Sequence, residues 1–230
     1  MALFPVASEQ PTTRPAFANL TLIGLNFFMF LIEIILGDSF VNTWAFTPAH
    51  LTAFFNGTGS FQAVLTIFTA MFMHGSFSHI FGNMLFLWVF GQATENAFGS
   101  RMYTTFYLVC GVAANMAQYL VDPNSSVPNL GASGAIAGVM GAYFVLYPQS
   151  RVLTLIPLII FWEIVELPAI MLLGFWFLMQ LFSAGAIAVT ASTGGGSGGV
   201  AFMAHVAGFV VGMIGVLVFR KRQRPEPWSY

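Results

Sequence analysis

The chain has 230 residues, of which 57% are hydrophobic and 7% are charged, whereas about 25% of the residues in an average soluble domain are charged. The formal net charge is -1, which excludes a basic surface that binds the backbone of a nucleic acid. The single cysteine, Cys110, excludes an intramolecular disulfide and a thiolate metal cluster. This composition is typical of a polytopic membrane protein.

The apolar segments predict an all-α membrane domain over residues 17–219. Residues 1–16 are polar and interrupted by prolines, and we interpret them as a short cytoplasmic N-terminal arm. A helix needs about 20 apolar residues to span a bilayer. Long apolar runs cover residues 20–36, 61–90, 102–120, 132–147, 152–189 and 200–219. Residues 220–230 form a basic cytoplasmic tail.

The positions of the basic residues predict the number of crossings. The seven lysines and arginines are Arg14, Arg101, Arg151, Arg220, Lys221, Arg222 and Arg224. If these residues stay on the cytoplasmic side, an even number of crossings separates neighbouring groups. Two crossings in each interval predict six transmembrane helices with both termini in the cytoplasm.

Two of the apolar runs are too long for one simple span. We assign residues 61–73 to a membrane-associated outer loop, so that the second helix begins near His74. We assign residues 152–161 to the membrane interface, so that the fifth helix begins near the break at Glu166, Leu167 and Pro168.

Four polar residues inside the predicted spans stand out: His79, Asn83, Ser133 and His205. Polar side chains are costly within a bilayer, so their default explanation is function or a polar partner. Taken singly, the serine fits a small packing residue, and a histidine or asparagine fits a hydrogen bond between helices. At a rise of about 1.5 Å per residue, however, all four lie in the outer leaflet, on the second, fourth and sixth helices. Three parallel helices therefore present polar groups at one depth.

Rows of small residues predict that the fourth and sixth helices approach closely. The rows are Ser133, Ala137 and Gly141 on the fourth helix, widened by Gly134 and Gly138, and His205, Gly208, Gly212 and Gly215 on the sixth. Such rows let helix backbones come together. The Ser133 hydroxyl and the His205 imidazole are then expected at hydrogen-bond distance.

A serine hydroxyl becomes a nucleophile when a neighbouring imidazole takes its proton. An aspartate usually orients that imidazole, but the sequence predicts no carboxylate at this depth. We expect Asp38 and Asp122 at the outer edge of the membrane, and Glu95, Glu163 and Glu166 toward its cytoplasmic half. The pattern therefore predicts a Ser–His dyad. His79, Asn83 and the Ser133 amide are the available donors for a developing negative oxygen, and Gly131 opens the loop-to-helix junction that leaves this amide free.

Three motifs resemble those of the rhomboid family of intramembrane serine proteases. The segment Gly131-Ala132-Ser133-Gly134 resembles the family's nucleophile motif G-x-S-G. The set His74, His79 and Asn83 resembles its second-helix motif, and the set Ala204, His205, Gly208 and Gly212 resembles its last-helix motif. A further match, Gly91, Glu95 and Gly99, lies where the second helix meets the cytoplasm. The resemblance covers residues 72–219.

The resemblance implies a six-helix rhomboid-like bundle that acts as a serine endopeptidase without a metal or other cofactor. It implies that Ser133 is the nucleophile and His205 the general base. It implies further that His79, Asn83 and the Ser133 amide, beside Gly131, form the oxyanion and substrate-binding site. His74 would be a structural neighbour at the rim of the active site.

The resemblance also implies the partners and the location of the chain. The substrates would be single-pass or other transmembrane proteins, cleaved in or near their spans within membrane lipid, with no nucleic acid involved. The fifth helix and the glycine-rich loop around Gly194 and Gly199 would form a lateral gate and a cap. We expect a prokaryotic cell (inner) membrane, with the active site opening to the extracytoplasmic side.

Ala137 departs from the family pattern. Many members carry an aromatic residue four positions after the nucleophile that packs on the catalytic imidazole, and this chain has Ala137. Another group must therefore orient His205.

Two alternative functions stay open. One is a catalytically inactive rhomboid-like protein that binds membrane clients. The other is a transporter or metal-binding channel that uses His74, His79 and His205, although the five-residue spacing of the first two fits a single helix face poorly.

Overall fold

The structure is a computed structural model that describes residues 3–10, 12, 14–157, 162–192 and 202–220. The predicted cap loop around Gly194 and Gly199 and residues 221–230 of the basic tail lie outside the described residues. The helices are α1 (Phe17–Leu36), α2 (Asp38–Trp44), α3 (Pro48–Phe55), α4 (Gln62–Thr69), α5 (Phe77–Phe98), α6 (Ser100–Val121), α7 (Ser133–Leu146), α8 (Ala169–Ser192) and α9 (Phe202–Phe219), with a 3₁₀ turn at Ala70–Phe72. The strands are β1 (Phe4–Ser8), β2 (Arg151–Pro157) and β3 (Trp162–Pro168).

Helices stand at all six positions where the sequence predicts a span, namely α1, α5, α6, α7, α8 and α9. Within the described parts of the chain, α1 and α9 are each long and apolar enough to cross a membrane. The segments Gln62–Phe72 and Phe77–Phe98 meet the same criterion only as a pair bent by 74°. The count of six crossings and the cytoplasmic termini therefore stay predictions.

The basic residues that the structure describes lie at one end of the bundle. Arg14 donates its backbone N–H to Oδ1 of Asn96 near the end of α5, at 3.2 Å. Arg101 is in the first turn of α6, directly after α5, and Arg151 opens β2, which pairs with the N-terminal strand β1. Arg220 follows α9, whose last ring packs on the end of α5. This clustering is expected if these residues share one side of the membrane.

The prediction of an all-α protein is wrong in one region, because β1, β2 and β3 form an antiparallel sheet in that order. The N-terminal arm supplies β1, and β2 occupies most of the run that we assigned to the interface. Val152 and Thr154 of β2 are fully buried, and β-branched residues favour strands. Hydropathy alone does not separate a strand from a helix in a short apolar run. The fifth predicted helix nevertheless begins where expected, at Ala169 after Pro168.

The predicted outer loop folds as the short helices α2, α3 and α4 with the 3₁₀ turn. Helix α5 begins at Phe77, slightly later than the start predicted near His74. Ser76 explains the start, because its side-chain oxygen accepts the backbone N–H of His79 at 3.2 Å. Such an N-cap satisfies one of the free amides at the beginning of a helix.

Helix α7 lies at the centre of the bundle, and its residues 134–143 are buried against α6 and α9. The glycines explain the close packing. A Cβ added to Gly208 would overlap the carbonyl oxygen of Gly134, and one added to Gly212 would overlap that of Gly138. The predicted approach of these two helices is thus confirmed. Gly215 is an exception, because it faces the ring of Phe106 on α6.

Candidate active site

Ser133 and His205 come together near one end of α7 and α9. Ser133 is the first residue of α7, and His205 lies in the first turn of α9. The hydroxyl oxygen of Ser133 is 2.7 Å from Nε2 of His205, within the range of an O–H···N hydrogen bond. Ser133 is partly exposed, whereas His205 is only 9% exposed. The hydroxyl is therefore accessible while most of the imidazole is covered.

The imidazole of His79 lies against the loop that leads into α7. Gly131 in this loop has a φ of +136°, and a Cβ there would stand 2.9 Å from Cε1 of His79 and 3.6 Å from the Ser133 hydroxyl. Gly131 also donates its N–H to the carbonyl of Ala70 at 2.8 Å, which ties the loop to the 3₁₀ turn. Because Gly131 has no side chain, His79 and Ser133 border the same space.

His74 is hydrogen-bonded to Asn83 on the buried side of the site. Nδ2 of Asn83 donates to Nε2 of His74 at 3.0 Å, and the rings of His74 and His79 meet edge to face at 5.1 Å. The predicted place of His74 at the rim is wrong, because this residue is 1% exposed. Asn83 and His79, by contrast, are both partly exposed.

Glu33 is a carboxylate near the site that the sequence reasoning missed. It lies in the last turn of α1, and its two carboxylate oxygens accept the backbone N–H of His74 at 3.0 and 3.2 Å. It binds the main chain and not the Ser133–His205 pair, so the predicted dyad has no carboxylate partner among the described residues. A glutamate in an otherwise apolar span was the available signal.

Two residues of α8 lie against His205, and the ring of Phe202 on α9 meets the imidazole edge to face at 6.4 Å. Oε1 of Gln180 is 2.8 Å from Nδ1 of His205. The ring of Trp176 lies 5.9 Å from the imidazole ring, tilted by 42°. The aromatic neighbour that Ala137 does not provide on α7 thus comes from α8. The sequence predicts neither contact, because both residues fall in a long apolar run without a motif.

The arrangement combines a hydroxyl, a base within hydrogen-bond reach and neighbouring N–H donors. Those are the groups that acyl transfer through a serine requires. Over the described ranges, no group of three or more His, Cys, Asp and Glu side chains is placed to hold a metal ion.

The fold and the site are those of a helical membrane protein with a serine–histidine pair between two of its helices. Comparison with known proteins shows the family to which it belongs. Residues 62–222 match the model of the Rhomboid domain. The chain therefore belongs to the rhomboid family.

Several curated proteins are similar to the chain. Rhomboid-like protein 11, chloroplastic, of Arabidopsis thaliana is 30% identical over 167 residues, which cover 70% of this chain and 55% of that protein. Rhomboid protease GluP of Bacillus subtilis is 30% identical over 138 residues, covering 60% and 26% of the two chains. The human presenilin-associated rhomboid-like protein, mitochondrial, is 37% identical over 82 residues, covering 35% and 22%.

The matched segments span about half of the first relative and about a quarter of the other two. These relatives include a chloroplast, a mitochondrial and a bacterial protein. They do not support the expected prokaryotic inner membrane over the membrane of an organelle.

Proposed function

We propose that the chain is an intramembrane serine endopeptidase that hydrolyses peptide bonds in or near transmembrane segments of other membrane proteins. The observation that carries the proposal is the 2.7 Å contact between the Ser133 hydroxyl and Nε2 of His205. The similarity to a relative named as a rhomboid protease supports the same activity.

In the proposed reaction, Nε2 of His205 takes the proton of the Ser133 hydroxyl. At the same time the Ser133 oxygen attacks the carbonyl carbon of the scissile peptide bond. The resulting imidazolium returns this proton to the leaving amine, and the peptide bond breaks. A water molecule then attacks the acyl-enzyme, again with His205 as the base. The second step releases the carboxylate product and restores the Ser133 hydroxyl.

We assign the oxyanion site to three N–H donors. The Ser133 amide is at the first residue of α7, and the first amides of a helix have no carbonyl partner within it. His79 borders the same space as the Ser133 hydroxyl at Gly131. Asn83 uses one amide hydrogen for His74, which holds the side chain in place and leaves its second hydrogen for the substrate oxygen.

The substrate is expected to reach Ser133 from the extracytoplasmic side. Ser133 and His205 stand at the starts of α7 and α9, whereas Arg151 and Arg220 follow the ends of the same helices. If the basic end is cytoplasmic, the serine faces the opposite side of the membrane. A transmembrane substrate would then be cleaved toward the outer end of its helix.

The test is cleavage of a single-pass reporter peptide in proteoliposomes, with a small residue near the outer end of its helix. Ser133→Ala and His205→Ala are expected to abolish cleavage without changing the helical circular dichroism. Ser126→Ala, in the exposed loop before α7, is the matched control and should cleave at the wild-type rate. Cleavage that persists in Ser133→Ala would overturn the proposal.

Two other outcomes would favour the alternative functions. Binding of the reporter without cleavage by the wild-type chain, together with no reaction of Ser133 with a fluorophosphonate, would point to a client-binding protein. Activity that a chelator removes and zinc restores would point to a metal site at the histidines.

A further inference from the structure

Gln180 is a half-buried polar residue in α8, an otherwise apolar helix. Its sequence neighbours Met179 and Leu181 are 47% and 41% exposed, as expected for side chains that face lipid. A glutamine in such a helix is stable when its amide finds a polar partner. Here the partner is Nδ1 of His205, 2.8 Å from Oε1 of Gln180.

The proton positions at His205 follow from its two contacts. Nε2 can accept the Ser133 proton only if Nε2 is unprotonated, so the neutral imidazole must carry its hydrogen on Nδ1. This hydrogen points at Oε1 of Gln180, which is an acceptor. The two contacts are therefore consistent with one tautomer, the one that a general base requires.

Trp176 lies one helical turn before Gln180, on the same face of α8. Its ring flanks the imidazole while Gln180 holds the Nδ1 edge. Together the two side chains restrict rotation of the ring about its side-chain bonds.

We propose that Gln180 is the positioning residue of the general base. Its carbonyl oxygen fixes the tautomer and the orientation of His205, as an aspartate does in a catalytic triad, but without a negative charge. The inference rests on the proposed protease function. It also makes the docking of α8 against α9 a condition for activity, because an α8 displaced from α9 would take the acceptor away.

The test compares two substitutions of Gln180 in proteoliposomes with the reporter described above. Gln180→Leu removes the acceptor and suits an apolar helix, so the fold should persist. We expect kcat to fall about 10- to 100-fold, the value of one hydrogen bond to a partly charged group, with little change in KM. Gln118→Leu on α6, which replaces another half-buried glutamine, is the matched control and should keep the wild-type kcat.

Gln180→Glu restores an acceptor and adds a negative charge. It should recover most of kcat, but the acidic limb of its pH–rate profile should move to higher pH, because the carboxylate stabilises the imidazolium that cannot act as a base. His79 on α5, which borders the same space as the Ser133 hydroxyl at Gly131, is another titratable side chain near His205. To separate the effect of the new carboxylate from that of His79, we expect His79→Gln combined with Gln180→Glu to show a shift in the same direction, although its kcat is lower because His79 belongs to the proposed oxyanion site.

A wild-type kcat in Gln180→Leu, or equal losses in the Leu and Glu variants with no shift of the pH profile, would overturn the inference. Ser133→Ala separates this failure from that of the proposed function. If Ser133→Ala is inactive while Gln180→Leu is unaffected, only the role of Gln180 fails. If Ser133→Ala still cleaves, the protease mechanism itself fails. The rate of fluorophosphonate labelling at Ser133 provides the same comparison without a peptide substrate.

Discussion

Gly138 on α7 and Gly212 on α9 meet with their backbones in contact, and a Cβ added to Gly212 would lie 2.6 Å from the Cα of Gly138. No side chain separates the two helices at this level. The contact between Ser133 and His205 depends on this closeness, because a wider helix separation would carry the imidazole away from the hydroxyl.

Substitution of Gly212 by alanine should therefore weaken both the fold and the site. The added methyl group overlaps backbone atoms that cannot rotate away, and overpacking of this kind costs about 1–3 kcal/mol. We expect Gly212→Ala to lower the free energy of unfolding in micelles by that amount and to slow the labelling of Ser133. Gly82→Ala on α5 is the control, since nothing lies within 4 Å of its added Cβ. Equal stability of the two variants would contradict the close packing of α7 and α9.

Asn83→Ala tests the oxyanion site. Loss of one donor to a developing negative oxygen typically lowers kcat by about 100- to 1,000-fold. We expect a fall of this size with little change in KM, measured as steady-state cleavage of the reporter. Asn124→Ala, in the exposed loop before α7, should leave kcat unchanged. If Asn83 has only a structural role, Asn83→Ala would instead lower the melting temperature and leave the kcat of the folded fraction unchanged.

Glu33→Ala tests the hydrogen bonds between the Glu33 carboxylate and the backbone N–H of His74. The substitution leaves the backbone N–H of His74 buried without its acceptor, which costs about 1–3 kcal/mol. We expect a lower free energy of unfolding and, because His74 holds Asn83, a lower kcat. Glu33→Gln retains an acceptor oxygen and should recover most of both. Glu163→Ala on the exposed face of β3 is the matched control, and a loss as large as that of Glu33→Ala would argue against a specific role for Glu33.

Glu95 offers a stability prediction that is separate from the site. Its carboxylate accepts the backbone N–H groups of Ala18 at 3.1 Å and Asn19 at 2.7 Å, and it accepts the hydroxyl of Ser100 at 2.6 Å. A residue of α5 thus caps the start of α1, where a negative charge is favourable.

We expect Glu95→Ala to lower the free energy of unfolding by about 1–3 kcal/mol, while Ser133 in the folded protein is labelled at the wild-type rate. Thermal unfolding in micelles and labelling well below the melting temperature measure the two effects. Slower labelling of the folded variant would show that the two ends of the bundle are coupled.

The pairing of Ser133 with His205 could be predicted from the sequence because each of its two signals is recognisable within a single helix. A polar side chain in an apolar helix is conspicuous, and the glycine rows indicate which faces meet. Gln180 and Glu33 were missed because neither belongs to a motif or to a row of small residues that indicates its partner, and only the packing of α8 and α1 brings them to His205 and His74. The strands β2 and β3 were missed because hydropathy alone does not distinguish a strand from a helix in an apolar run, although the β-branched residues of this run favour strands.

The most direct test of the central claim is reaction of the purified wild-type protein with a fluorophosphonate, followed by mass spectrometry of the modified peptide. In this reaction the Ser133 oxygen bonds to phosphorus and fluoride leaves. We predict one adduct, on Ser133, that is absent from Ser133→Ala and reduced at least tenfold in rate in His205→Ala, about 1.4 kcal/mol in the barrier. Modification of another residue, or equal labelling of Ser133 with and without the His205 imidazole, would contradict the account.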